Sequence, residues 1–315
     1  MKELRIVFMG TPDFAVATLS ALLEAEYKVV GVITAPDRPA GRGQKIRQSA
    51  VKTFAQENNL KILQPTNLKY PEFLEELKSL RPNLQIVVAF RMLPKLVWAL
   101  PEYGTFNLHA SLLPNYRGAA PINWAIMNGE KETGVTTFFI DDKIDTGEII
   151  LQKKTTVEDD EDAGSLHNKL MRLGSHLVVE TVRLIEDGKV TTQKQEHIKG
   201  IKSAYKINKD TCEIDWTKSI DSVYNHIRGL SPYPASWTTL YNNNQKSLIK
   251  IYKVTKELID HELTPGSLQF TKKELKVAVK NGFLNLLEIQ LQGKRKMKTS
   301  EVLNGLKLAK TAHMG

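Results

Sequence analysis

The feature that most constrains this chain is an alternation in its first half. Apolar runs of strand length give way repeatedly to stretches whose apolar residues recur at helical spacing. Residues 4–9 read as a strand, Gly10-Thr11-Pro12-Asp13 turns the chain, and residues 14–23 carry apolar side chains on one helical face. Residues 29–34 form a second strand. Residues 84–90 are apolar almost throughout, the pattern of a strand covered on both faces, and residues 105–109 form a short strand ending in polar groups. Strand, helix, strand in this order predicts an α/β fold with a doubly wound, Rossmann-like parallel sheet, and such sheets put their ligand sites beyond the C-terminal strand ends. A dinucleotide site is disfavoured. The turn after the first strand offers one glycine, Gly10, where the pyrophosphate fingerprint needs three.

A helical pattern over residues 163–186 closes the first domain. The polar stretch that follows has no periodicity and reads as a linker, after which residues 219–228 are helical and residues 236–241, 248–254, 275–279 and 283–291 are strand-like. This divides the chain into a first domain at 1–189, a linker at 190–209 and a smaller C-terminal antiparallel, OB-like β-barrel at 210–315. Charge divides it the same way. Residues 1–190 hold 23 basic and 24 acidic side chains, whereas residues 191–315 hold 21 and 11, so the +9 net charge divides into −1 at the front and +10 behind it. From charge alone two readings stay open: a surface for a polyanion, or a solvated lysine-rich face. The single cysteine, Cys212, excludes an internal disulfide and a cysteine-rich metal site, and fits a reducing cytoplasm. No apolar run is long enough to span a bilayer, and the N-terminus lacks the pattern of a signal peptide.

The densest group of chemically capable residues runs from Phe106 to Pro121. Asn107 and His109 are two residues apart, so on an extended segment their side chains leave from one face and can converge on one small group. An amide donor beside an imidazole can hold a carbonyl oxygen as it becomes negative. Downstream, Asp145-Thr146-Gly147 sets a carboxylate beside a glycine turn, and a carboxylate facing His109 would support a positive charge on the ring and fix its orientation. Singly, each has a plain structural alternative: a turn cap, a core histidine, a solvated loop acid.

Together these stretches resemble the folate-dependent formyltransferase family. The resemblance lies in Asn107-Leu108-His109, Ser111-Leu112-Leu113-Pro114, Arg117-Gly118-Ala119-Ala120-Pro121 and Asp145-Thr146-Gly147. It implies formyl transfer from 10-formyltetrahydrofolate without a metal, with Asn107, His109 and Asp145 catalytic. Folate contacts are implied at Ser111, Leu112, Leu113, Pro114, Phe90, Met92 and Asp141. Further stretches resemble the branch that acts on methionyl-tRNA: Phe8-Met9-Gly10-Thr11-Pro12-Asp13-Phe14-Ala15 at the start, Thr34 through Lys45 after the second strand, and Ala204-Tyr205-Lys206-Ile207, Ile214-Asp215-Trp216, Pro232-Tyr233-Pro234 and Gln292-Gly293-Lys294 in the back domain. The implied acceptor is initiator methionyl-tRNA, touched by Arg38, Arg42, Lys45 and Arg47 in the basic loop and by Lys206, Lys294 and Lys296 behind it. A cytoplasmic, monomeric enzyme is expected. The loop residues sit among Pro and Gly without apolar periodicity, so they cannot form a buried stripe, and a loop that is mobile until phosphates order it is expected there.

One segment departs from the family pattern: Phe90-Arg91-Met92-Leu93-Pro94 is one residue short. A rival of the same chemistry is formylation of a small amine such as a nucleotide sugar, which predicts activity indifferent to salt. A non-enzymatic RNA-binding protein predicts tRNA binding without formyl transfer.

Overall fold

Ile6, Val7, Phe8 and Met9 lie with no exposed surface at the centre of a seven-stranded sheet. The computed structural model describes residues 3–40, 45–196 and 199–315. Its strands are β1 (Ile6–Gly10), β2 (Val29–Ile33), β3 (Ile62–Leu63), β4 (Leu84–Val88), β5 (Thr105–His109), β6 (Glu132–Phe139) and β7 (Ile149–Thr156), in the spatial order β7-β6-β5-β4-β1-β2-β3. β1 pairs in parallel with β2 and with β4, β2 with β3, and β4 with β5, whereas β6 runs antiparallel to β5. The chain therefore winds outward from β1 in one direction and returns to the other side of it. Open α/β sheets that reverse in this way bind their ligands beyond the C-terminal strand ends at the reversal, here those of β1 and β4.

Sequence and geometry agree closely here. Helix α1 (Asp13–Glu24) buries Phe14, Ala15, Thr18, Leu19 and Leu22, the face its spacing marks out. Burying each such large apolar side chain is worth about 1.5–3 kcal/mol. Gly10 is needed for packing, because a Cβ there would stand 2.5 Å from Cβ of Ala15. β1 begins two residues later than the sequence suggests, since the Arg5 amide donates to Asn83 Oδ1 and its guanidinium to the Leu80 carbonyl. β4 stops at Val88 instead of running to residue 90, because Ala89 takes a left-handed backbone, φ 48°, and turns the chain out of the sheet. Two more helices, α2 (Ala50–Glu57) and α3 (Pro71–Ser79), belong to this unit. In the long helix Ala163–Glu186, Gly174 lets Leu108 of β5 approach, and Thr181 Oγ1 lies 2.8 Å from Thr137 Oγ1. No helix among the described residues is long and apolar enough to cross a membrane.

Both described ends of the basic loop contain regular structure. Arg38–Ala40 and Lys45–Arg47 pair as an antiparallel ribbon with Arg38 opposite Arg47, and Asp37 at its base takes a 2.6 Å ion pair from Lys52 and a 2.9 Å hydrogen bond from Gln64. Arg42 and the side chain of Lys45 lie outside the described residues.

The compact units do not follow the chain order strictly. The second unit combines Ala119–Glu132 and Val157–Leu166 with Ala204–Gly315. It holds α4 (Pro121–Met127), α5 (Ile220–Leu230, capped by Ser219) and strands β8 (Ser236–Asn242), β9 (Gln245–Glu257), β10 (Leu268–Phe270), β11 (Leu275–Val279), β12 (Gly282–Leu291), β13 (Met297–Lys298) and β14 (His313–Met314). The sheet order is β10-β11-β12-β9-β8-β14, with β13 on β12. A bridge from Ser267 to His313 joins the two ends, so the sheet closes into an antiparallel barrel. Gly266, φ 87°, makes that closure possible: a Cβ would fall 2.1 Å from the Met314 carbonyl. The register slips around Lys253, a bulge that bends β9 around the core. Inside are Ile214, Trp216, Ile227, Leu240, Ile249, Ile251 and Leu284, with Trp216 Nε1 donating to Thr238 Oγ1 at 3.0 Å. Cys212 is buried, and burial pushes its thiol above the usual value, which disfavours the thiolate.

Candidate functional site

β5 carries the candidate residues Asn107 and His109 toward its end. Its ladders set Asn107 opposite Val87 of β4 and Phe138 of β6, and His109 opposite Thr136. Alternation along the strand then puts both side chains on one face. Asn107 is half-exposed, while His109 is buried and packs its ring edge-on to Phe138 with centroids 6.5 Å apart.

His109 Nε2 lies 2.8 Å from the backbone carbonyl of Tyr116. A carbonyl can only accept, so Nε2 carries the hydrogen and Nδ1 is the nitrogen left for chemistry. Asp145 Oδ2 faces Nδ1 at 3.9 Å. That is an ion-pair distance, longer than the roughly 2.7–3.2 Å of an N–H···O hydrogen bond. Ring orientation, expected from Asp145, is thus fixed by the Tyr116 carbonyl, while Asp145 brings its charge to the opposite nitrogen.

The Asp145 loop is held from several sides. The Gly118 amide donates to Asp145 Oδ2 at 2.9 Å. Asp145 has a left-handed backbone, φ 53°, a conformation that aspartate and asparagine adopt more readily than other non-glycine residues. Gly147 comes so near β6 that a Cβ would lie 1.6 Å from the Phe139 carbonyl. Thr146 Oγ1 donates to both oxygens of Asp141, at 2.7 and 2.9 Å, and the Lys143 amide adds a third bond at 2.9 Å. Along Asp145-Thr146-Gly147, then, the first residue supplies charge, the second closes the loop and the third permits close approach to β6.

The residues expected to contact folate divide into two groups. Ser111 Oγ donates to the Asn115 carbonyl at 2.7 Å, Leu113 is buried against Phe138 and Ile149, and the Asp141 carboxylate is occupied by its own loop. The polar groups of Ser111 and Asp141 and the side chain of Leu113 are thus engaged within the protein. Phe90, Leu112 and Pro114 keep part of their surface open, and Met92 is 69% exposed. Arg91 donates to the carbonyls of Thr66 and Pro65 and lies 5.6 Å from the Phe90 ring centroid, which anchors the shortened segment. Burial, and then the charge of Arg38, pull Arg91 below the usual guanidinium value.

Of the expected tRNA contacts, Arg38 and Arg47 are exposed on the ribbon. In the second unit Lys206 and Lys294 are exposed. Lys296 is exposed as well, with its ammonium paired to Glu288 at 2.8 Å and 5.3 Å from the Tyr252 ring centroid. Sequence reasoning missed Gln195, which it assigned to the linker and which is hydrogen-bonded to the backbone on both sides of Thr146. Its polar, aperiodic surroundings carry no signal of this.

Comparison with known proteins agrees with this geometry. The profile described as "Formyl transferase" matches residues 4–182, and "Formyl transferase, C-terminal domain" matches residues 206–307. The chain is 60% identical over 306 residues to a methionyl-tRNA formyltransferase of Flavobacterium johnsoniae, covering 97% of each chain. It is 59% identical over 313 residues to the methionyl-tRNA formyltransferase of Flavobacterium psychrophilum, covering 99% of each. Among solved structures, an N-formyltransferase from Helicobacter canadensis aligns with TM-score 0.66 at 21% identity, covering 93% of this chain and all of that one, a likeness of fold.

Proposed function

The chain belongs to the formyl transferase family in both of its domains, and from that premise we propose that it moves the formyl group of 10-formyltetrahydrofolate to the amino group of initiator methionyl-tRNA. The observation that carries the reading is Asp145 facing His109 at 3.9 Å, with Asn107 two residues before His109 on β5, in a chain 60% identical to a protein named methionyl-tRNA formyltransferase. Charged tRNA is a cytoplasmic substrate, so the reading brings a cytoplasmic location with it.

The residues present suit the co-substrate. Phe90, Met92, Leu112 and Pro114 offer partly open apolar surface for a flat ring, beside two polar side chains on one strand face. When bound, 10-formyltetrahydrofolate supplies the carbonyl carbon that the methionyl amine attacks. No protein nucleophile is then required. The Asn107 carboxamide donates to the formyl oxygen as that oxygen gains negative charge, and His109, protonated at Nδ1, is the second polar group turned to the reacting centre. Asp145 balances the charge on the ring, and the two together pass a proton from the attacking nitrogen to the departing one. Preorganisation limits the cost of these steps, since the ring is already fixed by Tyr116 and the carboxylate by Gly118.

Recognition of the acceptor falls to cations. Arg38 and Arg47 on the ribbon and Lys206 and Lys294 on the barrel unit are the candidates for phosphate contact. The test is formylation of charged initiator tRNA beside free methionine and an amino-sugar nucleotide. Transfer to the tRNA alone is expected, and equal transfer to the sugar would replace this acceptor with a small amine.

A further inference from the structure

Gln195 lies 50 residues beyond Asp145 in sequence, yet its side chain is joined to the catalytic loop. Its Nε2 donates to the Asp145 carbonyl at 3.0 Å and to the Gly147 carbonyl at 2.8 Å. Its Oε1 accepts from Arg117 Nε at 3.1 Å and Nη2 at 2.6 Å. A carboxamide has two donor hydrogens and two acceptor lone pairs, and all four are used here. The orientation is fixed, because a guanidinium only donates and backbone carbonyls only accept. Two residues earlier, Gln193 exchanges backbone hydrogen bonds with Ile149 at 2.8 and 2.9 Å, which sets the register that brings Gln195 to the loop.

The groups it joins are those on which Asp145 depends. Arg117 precedes Gly118, whose amide holds the Asp145 carboxylate, and the two carbonyls that accept from Gln195 flank Thr146 in the same loop. One side chain therefore secures both the backbone of the carboxylate and the segment whose amide orients it. Building on the function proposed above, we propose that Gln195, backed by Arg117, is a positioning residue for formyl transfer that acts through Asp145 by holding its carboxylate toward His109.

Gln195→Glu separates this from a merely structural role. The glutamate keeps the shape and keeps an acceptor for Arg117, but it cannot donate to the two loop carbonyls. Turnover and KM for both substrates, with melting temperature as a control, are to be measured for the wild type, Gln195→Ala, Gln195→Glu, Asp145→Asn and the double variant Gln195→Ala/Asp145→Asn. A misplaced carboxylate is expected to lower kcat about tenfold to a hundredfold in both Gln195 variants, with KM nearly unchanged. In the Asp145→Asn background Gln195→Ala should add less than about twofold. Wild-type kcat in Gln195→Glu, or an undiminished Gln195→Ala cost in the Asp145→Asn background, overturns the proposal. A wild-type protein inert toward methionyl-tRNA defeats the functional reading instead. The crystal structure of Gln195→Glu then decides the positioning role by itself: an Asp145 carboxylate withdrawn from the Gly118 amide supports it, and an unmoved one refutes it.

Discussion

The residues up to 190 and those beyond them use charge in opposite ways. The first stretch is nearly neutral, and its working charges are sunk into the fold: His109 is buried, Asp145 is largely covered, and both are tied to backbone groups. The second carries a large cationic excess, and Lys206 and Lys294 stand free in solvent. Chemistry on one carbon needs groups held to a fraction of an ångström, whereas a polyanion can be met by mobile cations. Substitutions in the first stretch should therefore cost turnover, and those in the second should cost affinity.

The sharpest way to break that comparison is His109→Ala, for which kcat is expected to fall about a hundredfold to a thousandfold, with KM for methionyl-tRNA little changed. A loss carried by KM in steady-state kinetics would mean that the buried site binds instead of reacting. Gly147→Ala comes next. Its Cβ would meet the Phe139 carbonyl at 1.6 Å, so the loop must shift, and a kcat loss of roughly tenfold to a hundredfold is expected although no ionisable group has changed. Full activity in that variant would show that the loop tolerates displacement.

Smaller effects sharpen the other side. Lys206→Ala and Lys294→Ala should each raise KM for tRNA a few-fold, leave kcat alone and reduce the slope of log affinity against log salt by about one. Lys296→Ala should do less, because Glu288 already occupies that ammonium. A salt titration of tRNA binding distinguishes the three.

The smallest expected effect is on stability. His226 sits in the second unit, where burial pushes its pKa below the ordinary 6.5. A depressed folded-state value means that the unfolded chain binds the proton more readily, so this contribution is present above pH 6.5 and is lost as the pH falls through the folded value. Thermal melts from pH 7.5 down to about 5 should show a falling midpoint, and His226→Gln should flatten the fall. An unchanged slope would assign the acid sensitivity to other groups.

Legibility in the sequence follows range of interaction. β1 and β4 were readable because strands covered on both faces must be apolar, and Asn107 with His109 because a spacing of two puts side chains on one face. The ribbon at Arg38–Ala40 and Lys45–Arg47 was not, since its proline and arginines lack apolar alternation. β13 and β14, two residues each, are too short to carry a period, and β14 matters because it closes the barrel. Gln195 was hidden for another reason. Its partners are two backbone carbonyls and an arginine, and backbone carbonyls leave no trace in sequence.

The most direct measurement is the single-turnover rate of formyl transfer by Asp145→Asn, with both substrates saturating and folding checked by melting temperature. A carboxylate that balances the charge on His109 and helps move its proton predicts a rate lower by about a hundredfold or more with binding intact. A rate within about twofold of the wild type would mean that Asp145 takes no part in the chemistry, and the convergence at the end of β5 would lose its mechanistic meaning.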